Sequence, residues 1–344
     1  MSLDIGLFES YWHLIGHRLE LPEPGDYVRF DTPIGEVVVF NDQGNLLAFD
    51  NLCPHRGARI FSEDTGTQGF SCRYHGWSFR SGQIHVPDPH NYQSCDLASA
   101  KLNTYLLDWC GDFVFVAIKP FSTLNDQLGT LTETLENISF NINARVDLNR
   151  YEFECYWPIA VENALEPYHI PLIHTETLAT LQLENGLNVF DGCNSVWHAP
   201  IGNKRIHKQL VAFKKLFNID FQKEEYLSIF LFPFGMLSST FGYSYSLQNF
   251  FPSKKDERTN FTSRLYSVNT ASENATKIID PFIKSTQTVN RRVFDEDHEI
   301  CKLVPTSSWT SSPLKFASQQ EEKIVHFRNE CSQFLAKGSR SDNS

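Results

Sequence analysis

Cys53-Pro54-His55-Arg56-Gly57-Ala58-Arg59-Ile60-Phe61 and, further on, Ser71-Cys72-Arg73-Tyr74-His75-Gly76-Trp77 decide how this chain is read. Each segment carries one mixed Cys-His pair, with sixteen residues between His55 and Cys72. Four such donors could build a tetrahedral Cys2His2 zinc site. They could equally build a two-iron, two-sulfide centre with thiolates on one iron and neutral imidazoles on the other, whose nitrogen donors raise the reduction potential. Zinc fingers of the usual kind keep the cysteines at one end and the histidines at the other. Here each pair is mixed and sits in a turn beside glycine, which favours a cluster that accepts and passes one electron. Gly57 and Gly76 suit tight turns that let backbone N–H groups approach the cluster sulfurs, and Trp77 suits a shield against water. Arg56 and Arg73 read equally well as structural cations and as cations near the face where electrons enter.

Outward from these loops the pattern is that of short strands. Residues 26–50 carry β-branched and aromatic runs broken by Pro33-Ile34-Gly35 and Asp42-Gln43-Gly44-Asn45, which predicts antiparallel strands joined by turns. Further strands are expected in WSFRSG and QIHVP, turning at Ser81-Gly82, and around Val114. The weakly periodic segment 121–150 reads as a linker or covering layer. Two domains follow: 1–145, with a β core over about 26–120, and 146–344, opening at YEFECYWPIAVENAL. Strand-like runs recur between 225 and 268, and helical spacing over about 279–304 and 318–335. Ser318 and Glu321 have the spacing of a capping box, and the closing KGSRSDNS is polar enough to be disordered.

In the second domain Glu162-Asn163-Ala164-Leu165-Glu166-Pro167-Tyr168-His169-Ile170-Pro171-Leu172-Ile173-His174 puts two histidines five apart. On an unbroken helix they would diverge by about 140°. Pro171 between them predicts a bend at Ile170 that brings both rings to one metal, and Glu166 can share a face with His169. Two histidines and one carboxylate make the facial triad of non-haem iron sites, which leaves positions open for O2 and substrate. The carboxylate is sought in Phe294-Asp295-Glu296-Asp297-His298-Glu299. On a helix Asp297 falls on the apolar stripe of Val293, Phe294, Ile300, Cys301 and Val304, whereas Asp295 and Glu296 read as solvated. An inward carboxylate needs a counter-charge or a ligand role to offset desolvation, so Asp297 is the third candidate. Asn163 could support the site or be structural.

The two loops, together with ENALEPYHIPLIH and FDEDHEICKLV, resemble the alpha subunits of the Rieske non-haem iron oxygenases, the ring-hydroxylating and choline-monooxygenase-like family, over nearly the whole chain. The resemblance implies an α+β fold, an antiparallel β Rieske domain followed by a helix-grip (START-like) catalytic domain. It implies a 2Fe-2S cluster on Cys53, His55, Cys72 and His75 and mononuclear Fe(II) on His169, His174 and Asp297. It further implies electrons from NAD(P)H through a separate flavin/iron-sulfur reductase or ferredoxin, O2 as co-substrate, and a head-to-tail homotrimer. Most family members carry aspartate where this chain has Glu166, the position that links the first histidine to the cluster of the next subunit. Glutamate there resembles the carnitine and betaine demethylating branch. The implied activity is hydroxylation or oxidative demethylation of a small molecule, a monooxygenase. Cis-dihydroxylation of an aromatic ring, as by a dioxygenase, and a cluster-bearing electron carrier with a non-catalytic ligand-binding domain are the alternatives.

Composition agrees with this and excludes other classes. A net charge of −11 is unsuited to nucleic-acid backbones. No stretch approaches the roughly 18 apolar residues of a membrane span, and the opening residues lack a basic secretory leader, so a cytoplasmic protein is expected. Cys95, Cys110, Cys155, Cys193, Cys301 and Cys331 have no metal-like spacing and read as plain thiols. His13, His17, His85 and His90 read as satisfied or solvated. The sheet aromatics Tyr226, Phe230, Phe232, Phe234, Tyr243 and Tyr245 are expected to be mostly core, with some free to line an apolar pocket or a cage for a quaternary ammonium.

Overall fold

Alternation and turn chemistry build the first sheet in the computed structural model, which describes residues 2–80, 82–184, 186–217, 224–254, 257–270, 273–310 and 312–341, without the side chains of 94–96, 273–278 and 338–341. Strands Asp26–Thr32, Gly35–Asp42 and Asn45–Asp50 pair antiparallel through the two expected turns. Gln43 and Gly44 both hold positive φ, 56° and 93°, the two-residue turn whose twist matches that of the strands. Asn41 Oδ1 accepts the N–H of Gly44 at 2.7 Å. The sheet has seven strands in the order His13–His17, Phe113–Ala117, Thr104–Cys110, Asn45–Asp50, Gly35–Asp42, Asp26–Thr32, Thr65–Thr67. Its first member precedes the expected start at 26. A separate hairpin, Ser78–Arg80 with Gln83–His85, pairs Arg80 opposite Gln83; the turn expected at Ser81 lies outside the described residues.

Of the two readings of 121–150, the covering layer holds and the linker does not. The segment contains the helices Leu124–Leu128 and Leu131–Asn141 and most of the strand Ile142–Phe153. Leu124, Leu128, Leu131, Leu135 and Ile138 are buried with Ile229, Leu231 and Leu247, so this stretch is a packed layer and not a linker. Its apolar spacing is helical but spread over two short runs divided by Gly129, which hides the period.

The second sheet is also antiparallel and seven-stranded, in the order Ile142–Phe153, Thr259–Val268, Ser244–Pro252, Gly235–Thr240, Glu225–Leu231, Asn194–Pro200, Leu187–Asp191. Helix Glu273–Cys301 packs its Val293, Phe294 and Cys301 into one core with Phe250, Phe261 and Trp157. It starts before the expected 279, carries Pro281 inside it and ends at Cys301. Beyond Cys301, the N–H groups of Leu303 and Val304 bond to Ile300 and Cys301, a tightening that precedes Pro305, since a residue before proline is pushed out of helix. Ser318 opens the turn leading into helix Glu322–Ser341, and its N–H donates to Glu321 Oε2 at 2.7 Å, as the capping box predicts. The expected disorder of 337–344 falls largely on side chains and residues outside those described.

Charge stitches the two sheets together. Glu20, buried beside Arg264 and Tyr266, accepts from Arg145 Nη1 at 2.5 Å, Arg264 Nε at 3.3 Å and Tyr266 Oη at 2.6 Å. Arg150 reaches Asp31 and Asp64. No described helix is long and apolar enough to cross a membrane.

Candidate metal centres

The two Cys-His loops have matching backbones. The N–H of Cys53 donates to Ala58 O and that of Gly57 to Cys53 O; the N–H of Cys72 donates to Trp77 O and that of Gly76 to Cys72 O. Gly57 and Gly76 share φ +71°, the left-handed region that a side chain resists. Cys53 and Cys72 are buried and hydrogen-bonded to each other, and burial is the main influence pushing the Cys53 thiol up, against N–H groups of His55 and Arg56 that point at its sulfur. The imidazoles of His55 and His75 lie with centroids 4.6 Å apart. Trp77 stacks on His55 at 4.8 Å and 2°. His55 Nδ1 is buried with no hydrogen-bond partner. Two thiols, two imidazoles and an orphaned ring nitrogen converging in one place fit a 2Fe-2S group of mixed ligation. Around them Pro54, Arg56, Arg73, Tyr74 and His75 are exposed, and Arg56 lies over Tyr74, guanidinium to ring 5.5 Å.

The second set forms where one helix ends and another turn begins. Trp157–Leu165 stops at Glu166, which is extended (φ −111°, ψ 141°) ahead of Pro167. His169 then caps the start of the helical turn Ile170–Ile173, and His174 ends it. The expected bend at Pro171 is therefore corrected. Pro171 sits in the first turn of its own helix, where proline lacks nothing it needs, and the break belongs to Pro167. Glu166 Oε2 accepts the N–H groups of Tyr168 and, at 3.1 Å, His169, while its Oε1 meets His169 Nδ1 at 2.6 Å. Three bonds fix both the carboxylate and the ring.

From the long helix Asp297 completes the group. His169 Nε2 and His174 Nε2 are 3.1 Å apart, and Asp297 Oδ1 lies 3.5 and 3.0 Å from them. One donor atom from each of the three falls within 4.8 Å of the others, the only such group of three or more among the described residues. Burial disfavours the Asp297 carboxylate, but hydrogen bonds from His169 and His174 hold its pKa down at about 2. Burial likewise opposes charge on His169, which Asp297 and Glu166 overcome to raise it to about 9. Three ring and carboxylate donors crowded this closely fit a divalent iron, which would replace the protons they now share.

Asn163 donates Nδ2 to Asp297 Oδ1 at 2.7 Å, so it orients the carboxylate. Glu296, expected to be solvated, is instead half-buried: its Oε2 meets His174 Nδ1 at 2.8 Å and accepts Thr177 Oγ1 at 2.9 Å, while Oε1 accepts Arg292 Nε at 2.9 Å. Burial opposes its ionisation, but hydrogen bonds from His174, Thr177 and Arg292 together outweigh that and lower its pKa. Such a carboxylate fixes a ligand ring's tautomer. A cavity beside the triad is lined by Trp197, Tyr226, Phe294, Gln248, Glu166 and Lys323. Of the six sheet aromatics singled out, Tyr226 alone lines it, and the other five are buried. Trp197 and Lys323 were not foreseen, although Lys323 stands four residues before buried Phe327, on the inward stripe of its helix.

Of the side chains read as having no metal role, four histidines and five cysteines are described, and they behave as read. His13 Nε2 meets Phe8 O at 2.8 Å, His17 Nε2 meets Ser139 O at 3.0 Å, and His85 and His90 are exposed. Cys110, Cys155, Cys301 and Cys331 are buried free thiols and Cys193 is half-buried; Cys95 lies outside the described side chains.

Comparison with known proteins follows the same division. The Rieske [2Fe-2S] domain family matches residues 11–104, and the ring hydroxylating alpha subunit (catalytic domain) family matches 143–337. The glycine betaine monooxygenase oxygenase subunit of Chromohalobacter salexigens is 30% identical over 51% of this chain and 40% of its own length. The carnitine monooxygenase oxygenase subunit of Escherichia coli is 29% identical over 57% and 52%, and the anthranilate 1,2-dioxygenase large subunit of Acinetobacter baylyi 28% over 54% and 42%. These alignments thus span about half or less of each curated relative. In structure, the quaternary ammonium Rieske monooxygenase CntA in complex with L-carnitine superposes over 96% of this chain and 90% of that one, with a TM-score of 0.74 and 20% identity. A naphthalene 1,2-dioxygenase gives 0.75 and 18% over 96% and 88%. With the catalytic family spanning more than half of the chain, this protein belongs to the Rieske non-haem iron oxygenase alpha subunits.

Proposed function

We propose that this chain is the terminal oxygenase of a multicomponent system, taking O2 and electrons from a separate NAD(P)H-dependent reductase or ferredoxin to hydroxylate or oxidatively demethylate a small organic molecule. The observation that carries the proposal is the meeting of His169, His174 and Asp297 beside a cavity, in a chain that also presents the paired Cys-His loops. Cys53 and Cys72 would hold one cluster iron, His55 and His75 the other, and the triad would hold Fe(II). When bound, these groups supply one-electron storage and the activation of O2.

The residues themselves do the positioning. Asn163 and Glu296 aim Asp297 and His174, and Trp77 keeps water from His55. Glu166, bonded to His169 Nδ1, would link that ring to the cluster of a neighbouring copy. Among the described residues, no hydrogen bond, ion pair or ring contact joins the two centres within the chain. Tyr168 and Leu172 beside Glu166, and Leu52 and Tyr74 beside the loops, are exposed apolar groups of the kind an interface covers. A head-to-tail trimer would bring these two patches together.

The substrate is placed with the quaternary ammonium compounds that the betaine and carnitine relatives are named for, and the aromatic wall of Trp197, Tyr226 and Phe294 supports it. The dioxygenase reading keeps a place because anthranilate and toluate dioxygenases match at similar identity. Anaerobic purification with spectra and metal analysis tests the assignment: about three irons and two sulfides per chain, with a Rieske signal, support it. Zinc without sulfide overturns it. Two irons, with no third taken up on Fe(II) reconstitution, reduce the second domain to ligand binding. Counting ¹⁸O atoms incorporated from O2 into product separates one-oxygen from two-oxygen chemistry.

A further inference from the structure

Lys323 is the charge in the catalytic cavity that the proposed chemistry leaves unused. It sits in helix Glu322–Ser341, is 1% exposed, and lines the same cavity as His169, His174 and Asp297. No hydrogen bond or ion pair joins its ammonium to any described residue. Its Nζ lies over the face of Trp197, 5.8 Å from the ring centroid. Glu166, the anion that acts on it most, is committed to His169 and two backbone N–H groups.

An ammonium withdrawn from water without a partner is costly, and a purely structural position on this stripe would be better filled by an apolar side chain. Burial accordingly pulls the pKa of Lys323 down to about 7, with only Glu166 opposing. Two features make a ligand its natural counter-charge: Lys323 lines a cavity without an ion-pair partner among the described residues, and His169, His174 and Asp297 line the same cavity. We propose that Lys323 binds the carboxylate of the substrate and so directs the other end of the molecule toward His169, His174 and Asp297. The inference rests on the oxygenase reading and narrows it. A substrate bearing only positive charge meets a like charge at Lys323, whereas a zwitterion places its carboxylate there and its methylated ammonium on Tyr226 and Phe294.

The test uses the metal-loaded enzyme and matched pairs of probes, glycine betaine with betaine amide and benzoate with benzamide, in titration calorimetry. In the wild type at least one acid is expected to bind about 10- to 100-fold more tightly than its amide, the scale of a charge-assisted hydrogen bond. Lys323→Met abolishes that preference, and Lys323→Arg keeps part of it. Lys323→Gln serves as a second neutral variant, and iron and sulfide content verifies that each variant is folded and loaded. The proposal is overturned if no acid in the wild type outbinds its amide, or if Lys323→Met retains the preference. Failure of the oxygenase reading is seen separately, in metal content and oxygen incorporation, because the acid-to-amide ratio is read from binding alone.

Discussion

Asp297→Ala is the substitution on which the mononuclear site turns. The carboxylate receives Asn163 Nδ2 at 2.7 Å and faces His174 Nε2 at 3.0 Å and His169 Nε2 at 3.5 Å. In metal-free protein these contacts lower its pKa from 3.8 to about 2, equivalent to roughly 2 kcal/mol of stability. Because the folded value is depressed, that contribution is full above about pH 4 and disappears as the pH falls through about 2. At neutral pH the metal-free variant should therefore lose about 2 kcal/mol, a small part of the stability of a folded protein. The effect on metal is far larger. Outer partners of metal ligands are commonly worth 10- to 100-fold in affinity, so loss of the only anionic ligand should exceed about 100-fold. Dialysis against a weak chelator followed by iron and sulfide analysis should find the cluster's iron and sulfide retained, the Rieske signal unchanged, and the mononuclear iron gone together with turnover. If Asp297→Ala keeps the third iron and its activity, the triad is misassigned.

Four further outcomes are expected. Glu296→Gln and Asn163→Ala should each weaken mononuclear iron binding by about 10- to 100-fold, read by competition with a chelator, because each holds a ligand and neither is one. Cys72→Ser should abolish the visible and EPR spectrum of the cluster while the triad still takes up one Fe(II) on reconstitution. Glu166→Gln should leave both metal contents intact but slow reoxidation of the reduced cluster by O2 and substrate in stopped-flow traces; an unchanged rate would remove it from the electron path. Lys323→Met should raise the thermal midpoint most at pH 6 to 7, and less toward pH 10. The lysine's folded pKa of about 7 lies below its ordinary 10.5, so wild type carries a burial penalty of up to roughly 4–5 kcal/mol below pH 7. The penalty fades between 7 and 10.5 as the ammonium deprotonates, Glu166, Asp297 and the two histidines being common to both proteins.

Legibility in the sequence followed the range over which each signal acts. The cluster loops could be read from the chain because ligand, turn glycine and shielding tryptophan all lie within six residues, so spacing carries the geometry. Hairpins at 33–35 and 42–45 were readable for the same reason. Residues 121–150 were not, because Leu124–Leu128 and Leu131–Asn141 are too short for a helical period to stand out, and their partners on Glu225–Leu231 lie a hundred residues away. Pro171 misled for a related reason. A proline between two histidines signals a break, yet whether the break falls at Pro167 or Pro171 depends on which N–H groups Glu166 captures, and that is settled by folding.

Helical phase explains why Asp297 was read as facing inward and why Glu296 was not. The apolar stripe of helix Glu273–Cys301 locates the face that packs on the sheet, and a carboxylate in its middle stands out as an anomaly. Glu296 lies at the stripe's edge, where periodicity predicts solvent. There the loop bearing His174 and Thr177 covers it, a contact over 119 residues in sequence that no local pattern encodes. Lys323 obeys the rule that found Asp297, being a charge on an inward stripe whose positions one turn on, His326 and Phe327, carry no carboxylate. The two differ in what answers them. Asp297 meets two imidazoles and an amide from its own chain, whereas Lys323 has an indole face, a cavity and a carboxylate, Glu166, already committed elsewhere. Applied evenly, the desolvation argument that assigns the carboxylate to a metal assigns the ammonium to an anion from outside the protein.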